Sequence, residues 1–227
     1  MKQIDKYLQA KEKNQRKILV LAITLSIGIF FAIFVLLLTK NNLLKMIDGK
    51  VTNFFFLNRV RFLDYFFVIL SYLGETKLIV VFCVILLFLK NRKTVGLPII
   101  SITAFSAFLN LAIKLALSRA RPDGFFLTEP TLFYNMPGGF SFPSGHAQTG
   151  SVFYFLITIF FAHNSSHKNK KIAMIFYTIF CILLCTSRVY LGVHFLSDVI
   201  AGLCLSVAIN SFAIIIFKSK QMFFEYL

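Results

Sequence analysis

Residues 18–38, ILVLAITLSIGIFFAIFVLLL, contain no charged side chain in 21 positions. An α-helix of that length covers about 30 Å, the thickness of a bilayer's hydrocarbon core. Inside that core each backbone amide needs a partner within the protein, which a helix supplies from its own backbone. Further apolar runs follow at about 76–90, 95–118, 146–163, 172–191 and 194–217. The chain therefore reads as all-α, an integral membrane bundle of six transmembrane helices. Composition agrees, with 58% hydrophobic residues and a mean hydropathy of +0.78, against about 45–50% apolar residues in soluble domains.

The first run is too long for the apolar region of a secretory signal, and no small-residue cleavage site follows it. It reads as transmembrane helix 1, with the basic N-terminus in the cytoplasm. Residues 39–62 are mixed and read as an amphipathic segment at the membrane surface, anchored by Phe54, Phe55 and Phe56. A second interfacial helix is expected over 63–73, interrupted by Gly74 and Glu75. The chain thus divides into 1–75 (tail, helix 1 and interfacial segment) and 76–227 (a helical core), together one membrane domain.

The formal net charge is +15. Most basic residues sit at the ends of apolar runs, which excludes nucleic acid as the natural partner and points to anionic lipid and topology setting. With six spans, the N-terminus, the 91–94 turn, the 164–171 linker and the C-terminus share one side. Their excess of Lys and Arg makes that side cytoplasmic. Lys40, Lys45, Lys50, Arg59 and Arg61 fall on the outer side, where anionic lipid accounts for them. Cys83, Cys181, Cys185 and Cys204 all lie in apolar runs and read as packing residues, not as a disulfide framework or metal site.

Against this background a few ionisable residues stand out, because a charge at membrane depth is expensive and marks function by default. Lys114 and Arg121 flank the end of the third helix. Ser144, Gly145 and His146 lead from a Pro- and Gly-rich loop, 119–145, into the fourth. Arg188 ends the fifth, while His194 and Asp198 open the sixth on one helical face. On the six-span topology all fall at the outer membrane face. Three cations suit phosphate oxygens, and backbone N–H groups at Ser144 and Gly145 add anion donors at a helix start. One histidine can attack phosphorus while the other protonates the leaving oxygen. A carboxylate one turn away can hold a histidine's Nδ1–H and leave Nε2 as nucleophile. No carboxylate cluster for Mg²⁺ is evident, so the set reads as metal-independent phosphoryl transfer, with no cofactor.

Three motifs carry a resemblance: K-x6-R-P at Lys114–Pro122, P-S-G-H at Pro143–His146, and S-R-x5-H-x3-D at Ser187–Asp198. In order and spacing they resemble the type 2 phosphatidic acid phosphatase (PAP2) superfamily, specifically its bacterial six-span lipid phosphatases. The resemblance implies that Lys114, Arg121 and Arg188 grip phosphate, with Ser144 and Gly145 helping. It implies His194 as nucleophile, Asp198 as its orienting partner and His146 as general acid. It also implies a lipid phosphate substrate, with undecaprenyl diphosphate, phosphatidylglycerol phosphate and phosphatidic acid as candidates. Many relatives have a second basic residue just after the Arg-Pro pair, where this chain has Asp123. A phosphotransferase of the same superfamily and a non-catalytic lipid-binding or transport protein are the alternatives. Arg119 reads as a lysine-like snorkelling residue without a site role. Tyr190 and Gly192 read as turn residues. Oligomeric state is not encoded in any feature of the sequence.

Overall fold

The computed structural model describes residues 2–122, 138–163 and 165–219. Asp123, Pro130, Pro137 and Lys220 lie outside the described residues. Among those residues all regular structure is helical. The order is α1 (Lys2–Leu38), α2 (Asn42–Leu57), α3 (Arg61–Leu73), α4 (Thr76–Leu87), α5 (Leu97–Leu117), α6 (Ser151–Ala162), α7 (His167–Tyr190) and α8 (Leu196–Ser219). Single π turns, Arg92–Gly96 and His146–Gly150, lead directly into α5 and α6.

Four stretches are long and apolar enough to cross a membrane: Gln9–Leu38, Arg92–Leu117, His167–Tyr190 and Leu196–Phe217. A fifth exists if α3 and α4 count as one span bent by 43°. Alone, the 12 residues of α4 reach only about 18 Å, so the crossing expected over 76–90 needs α3 as well. His146–Ala162 is a shorter apolar helix.

The segment after α1 differs from a simple surface helix. Asn41 caps α2, its side chain accepting from the N–H groups of Leu43 and Leu44. The residues α2 buries are polar, Asp48 and Thr52, while Leu43, Met46, Phe54 and Leu57 are exposed. Its polar side faces the protein because Asp48 has partners there. Phe55 also turns inward, packing edge-on to Tyr190 at 5.9 Å. Arg59, assigned above to lipid, pairs with Asp64 at 3.0 Å and lies 5.6 Å above the Tyr190 ring.

Packing then sets where the helix ends meet. Phe30 and Ile33 of α1 pack with Phe142, Ala201 and Leu205. Phe67, Val68 and Leu70 of α3 cover Tyr190, Leu191 and Val193 at the α7–α8 turn. Ile79, Ile99, Phe153, Leu156, Ile209 and Ala213 tie α4, α5, α6 and α8 together. Gly202 permits a close approach: a Cβ there would stand 2.7 Å from the Ser144 carbonyl oxygen. Helices α5 and α7 finish, and α6 and α8 begin, at one end of the bundle.

Candidate active site

Local backbone rules place the histidine of the α7–α8 turn. Helix α7 stops at Gly192, whose φ of 68° is the left-handed conformation that glycine adopts without strain. The carbonyl of Arg188 accepts both N–H groups that follow, Val193 at 3.1 Å and His194 at 3.2 Å. Two residues later α8 begins, and Asp198 reaches back to accept the Phe195 N–H at 2.9 Å. That is the carboxylate half of a capping box, and it puts an acid where the helix dipole favours one. His194 is 2% exposed and Asp198 is fully buried.

The two side chains are linked through a third. His194 Nδ1 and Asp198 Oδ2 are 3.6 Å apart, longer than the direct bond expected from their i,i+4 spacing. Ser141 Oγ lies 3.2 Å from Nδ1 and 2.5 Å from Oδ2. An ionised carboxylate only accepts, so Ser141 donates to Asp198 and accepts from His194 Nδ1–H. Nε2 is left with the lone pair, and Arg121 Nη1, a donor, stands 3.2 Å from it. Burial, followed by the charges of Arg188, Arg121 and Lys114, holds the His194 pKa well below its ordinary value.

The other predicted residues converge on the same place. Lys114 Nζ donates to the carbonyls of Phe140 at 2.6 Å and Ser141 at 3.3 Å. Arg121 donates to the carbonyls of Val193 at 2.8 Å, Gly139 at 3.1 Å and Gly138 at 3.2 Å. Arg188, 1% exposed, donates from Nη1 to Ser71 Oγ. Ser144 and Gly145 enter the π turn that starts at His146, and the fully buried Ser144 Oγ has no hydrogen-bond partner among the described residues. His146 Nε2 lies 3.0 Å from the Ser71 carbonyl. A carbonyl only accepts, so that nitrogen carries the proton and Nδ1 keeps the lone pair. A buried amide lattice supports the turn, with Asn110 donating to Gln148 Oε1 at 2.9 Å and Gln148 donating to the Ser106 carbonyl at 3.0 Å.

Four residues not singled out by the sequence motifs also belong here. Ser141 bridges His194 and Asp198. Ser71 holds two groups at once, Arg188 by its hydroxyl and His146 by its carbonyl. Arg119, read as snorkelling, is instead ion-paired to Asp198 at 2.5 Å and Asp48 at 2.7 Å. Asp48 also accepts the Ser197 N–H at 2.9 Å, capping α8 from another helix. One signal for it existed: Asp48 is the only acid in the 39–62 segment of a strongly cationic chain.

Known proteins share the family and the fold of this chain. A model of the PAP2 superfamily matches residues 95–222. Phosphatidylglycerophosphatase B of Bacillus subtilis is 28% identical over 187 residues, 80% of this chain and 88% of its own. Undecaprenyl-diphosphatase of Sulfolobus acidocaldarius is 30% identical over 152 residues, 64% of this chain and 66% of the relative. Lipid A 1-phosphatase of Rhizobium johnstonii is 31% identical over 136 residues, 58% and 51% of the two chains. The crystal structure of a transmembrane PAP2 type phosphatidylglycerolphosphate phosphatase from Bacillus subtilis superposes with a TM-score of 0.72 at 25% identity. That match covers 86% of this chain and 96% of the other. LpxE of Aquifex aeolicus shares the fold, with a TM-score of 0.55 at 21% identity over 73% and 93% of the two chains.

Proposed function

The chain belongs to the PAP2 superfamily of phosphatases, and from that premise we propose that it hydrolyses a lipid phosphate through a phosphohistidine on His194. The observation that carries this reading is the bond chain from His194 Nδ1 through Ser141 to Asp198, which leaves Nε2 as the nucleophile. Nε2 attacks phosphorus, a P–N bond forms, and the bond to the lipid oxygen breaks. The substrate's phosphate monoanion first gives its proton to His146 Nδ1, and His146 passes that proton to the leaving oxygen as the P–O bond breaks. With its Nε2–H engaged by the Ser71 carbonyl, Nδ1 is the nitrogen that gives and takes that proton. Water, deprotonated by His146, then attacks the phosphohistidine. The P–N bond breaks, inorganic phosphate leaves and His194 is restored.

Lys114, Arg121 and Arg188 supply the positive charge that stabilises the transferring phosphoryl group, in place of a metal ion. Arg121 now stands on Nε2, so a bound phosphate takes over its guanidinium as the attack begins. Ser144 Oγ and the N–H groups of the π turn add donors to the same oxygens. The fold reading extends to six crossings, with α3 and α4 making one bent passage and the His146–Ala162 helix another. N- and C-termini are cytoplasmic, and the site faces outward at the plasma membrane. Lipid chains then stay in the bilayer while the headgroup reaches the helix ends.

Phosphatidylglycerol phosphate is the first substrate to test, because the relative so named aligns over most of both chains. Undecaprenyl diphosphate and phosphatidic acid complete the panel. The test is phosphate release by purified protein in detergent with EDTA present. Release by wild type, its loss in His194→Ala, and acid-labile phosphate on the wild-type chain are expected. Full activity in His194→Ala sinks the mechanism, and strict dependence on added Mg²⁺ sinks its metal-free form. Product analysis with an acceptor lipid separates hydrolysis from phosphotransfer. A cysteine introduced in the 124–140 loop is expected to label from outside intact cells, and labelling only from inside inverts the topology.

A further inference from the structure

We infer that Asp48 and Arg119 form a positioning pair for the catalytic dyad, so that a helix outside the family-matched segment tunes the rate at which His194 attacks. The inference rests on the reading of His194 as nucleophile. Arg119 donates from Nη1 to Asp198 Oδ1 at 2.5 Å and Ser197 Oγ at 2.7 Å, and from Nη2 to Asp48 Oδ2 at 2.7 Å. Each prong of the guanidinium therefore serves a different carboxylate. Its Cζ lies over the Phe195 ring, 4.2 Å from the centroid. Asp48, 2% exposed, also accepts the Ser197 hydroxyl at 2.5 Å. The backbone of Arg119 matters too, because its carbonyl accepts the Ser141 N–H at 2.8 Å. One residue thus fixes both members of the relay that ends on His194, Ser141 by main chain and Asp198 by side chain.

Charge balance explains why Asp48 is needed. A lone guanidinium on Asp198 would cancel the carboxylate that the imidazole feels. With Asp48 on the second prong, two carboxylates share one cation and the group keeps a net negative charge. His194 meets that charge against Lys114 from α5, His146 from the π turn before α6, Arg188 from α7 and Arg121 from the loop. Asp198 Oδ1 is taken by Arg119, which leaves Oδ2 for Ser141 and the Phe195 N–H. Neither Asp48 nor Arg119 touches the reacting atoms, so their effect acts through Asp198.

The experiment uses full-length protein in detergent and phosphatidylglycerol phosphate, with Asp48→Asn, Asp48→Glu, Arg119→Lys and His194→Ala compared to wild type. Asp48→Asn removes a negative charge without shortening the side chain. It is expected to lower kcat about 10- to 100-fold, with KM within about threefold, as supporting residues of a site do. His194 must be neutral to attack, and the lost negative charge lowers its pKa. The acid limb of kcat/KM therefore moves to lower pH. Asp48→Glu is expected to recover most of kcat, whereas Arg119→Lys, which offers one compact charge in place of a fork, is expected to lose it.

Unchanged kcat and an unchanged acid limb in Asp48→Asn overturn the inference. So does a kcat loss that tracks a fall in melting temperature in both Asp48→Asn and Arg119→Lys, since the pair then serves the fold alone. An active His194→Ala refutes the parent reading. An inactive His194→Ala beside a wild-type-like Asp48→Asn refutes only the pairing.

Discussion

His194 Nδ1 and Asp198 Oδ2 stand 3.6 Å apart, and the Ser141 hydroxyl occupies the gap. The acid of this pair therefore acts on its histidine through an intermediate oxygen, and each member of the relay has a different expected cost. Ser141→Ala removes the bridge but leaves both ends within reach of a small rearrangement, so kcat is expected to fall about 10-fold. Asp198→Asn removes the charge that steadies the imidazolium, and a loss on the order of 10³-fold or more is expected. Steady-state phosphate release measures both. An equal loss in the two variants would assign the orienting role to Ser141 itself.

The pH profile follows from the surroundings of His194. Burial, Arg188, Arg121 and Lys114 push its pKa down, so the imidazole is neutral and competent at pH 7. The kcat/KM profile is expected to stay flat as pH falls through about 6.5, the ordinary histidine value, with its acid limb lying lower. Lys114→Met removes one of the depressing charges. It is expected to move that limb upward while raising KM. A downward movement would contradict the electrostatic assignment.

Ser71 holds Arg188 with its side chain and His146 with its main chain. Ser71→Ala removes only the first of these. An increase in KM of about 10-fold to 100-fold is expected, since one hydrogen bond to a charged group contributes about 1.5–3 kcal/mol, with kcat close to wild type. A collapse of kcat instead would mean that the hydroxyl also governs His146.

Two glycines near the P-S-G-H turn should differ in tolerance. A Cβ at Gly202 would meet the Ser144 carbonyl oxygen at 2.7 Å and the Gln148 nitrogen at 3.2 Å, both backbone atoms that cannot yield cheaply. Gly202→Ala is expected to cost about 1–3 kcal/mol by overpacking and to disturb the turn that carries His146. At Gly145 the nearest atom is Asn110 Oδ1 at 3.5 Å, an ordinary contact. Gly145→Ala is expected to leave thermal stability in detergent almost unchanged. Equal melting temperatures for the two variants would refute the close approach of α8.

Much of this protein was legible in its sequence because the signals are local. Apolar runs longer than a bilayer is thick imply membrane helices whatever their neighbours do. The three motifs are short segments, and antiparallel helices bring their ends together almost automatically. The same locality explains the errors. Apolar content located α3 and α4 and Gly74 marked the break between them, but their mutual bend of 43° comes from packing over Tyr190 and along α6. Arg119 reads as a snorkelling side chain when only its position near a helix end is considered.

Its partners are 71 and 79 positions away, on α2 and α8. Asp48 is marked only as a lone acid in a basic segment, which does not say what it holds, and Ser71 and Ser141 are common residues in ordinary settings. By itself the sequence determined the helical membrane class, the family and the polar residues that gather at the helix ends, because hydropathy and motif spacing act over a few helical turns. Only the tertiary structure decided which groups hold those residues in place. Hydrogen bonds and ion pairs act over about 3 Å in space, and that proximity arises only when helices distant in sequence pack together.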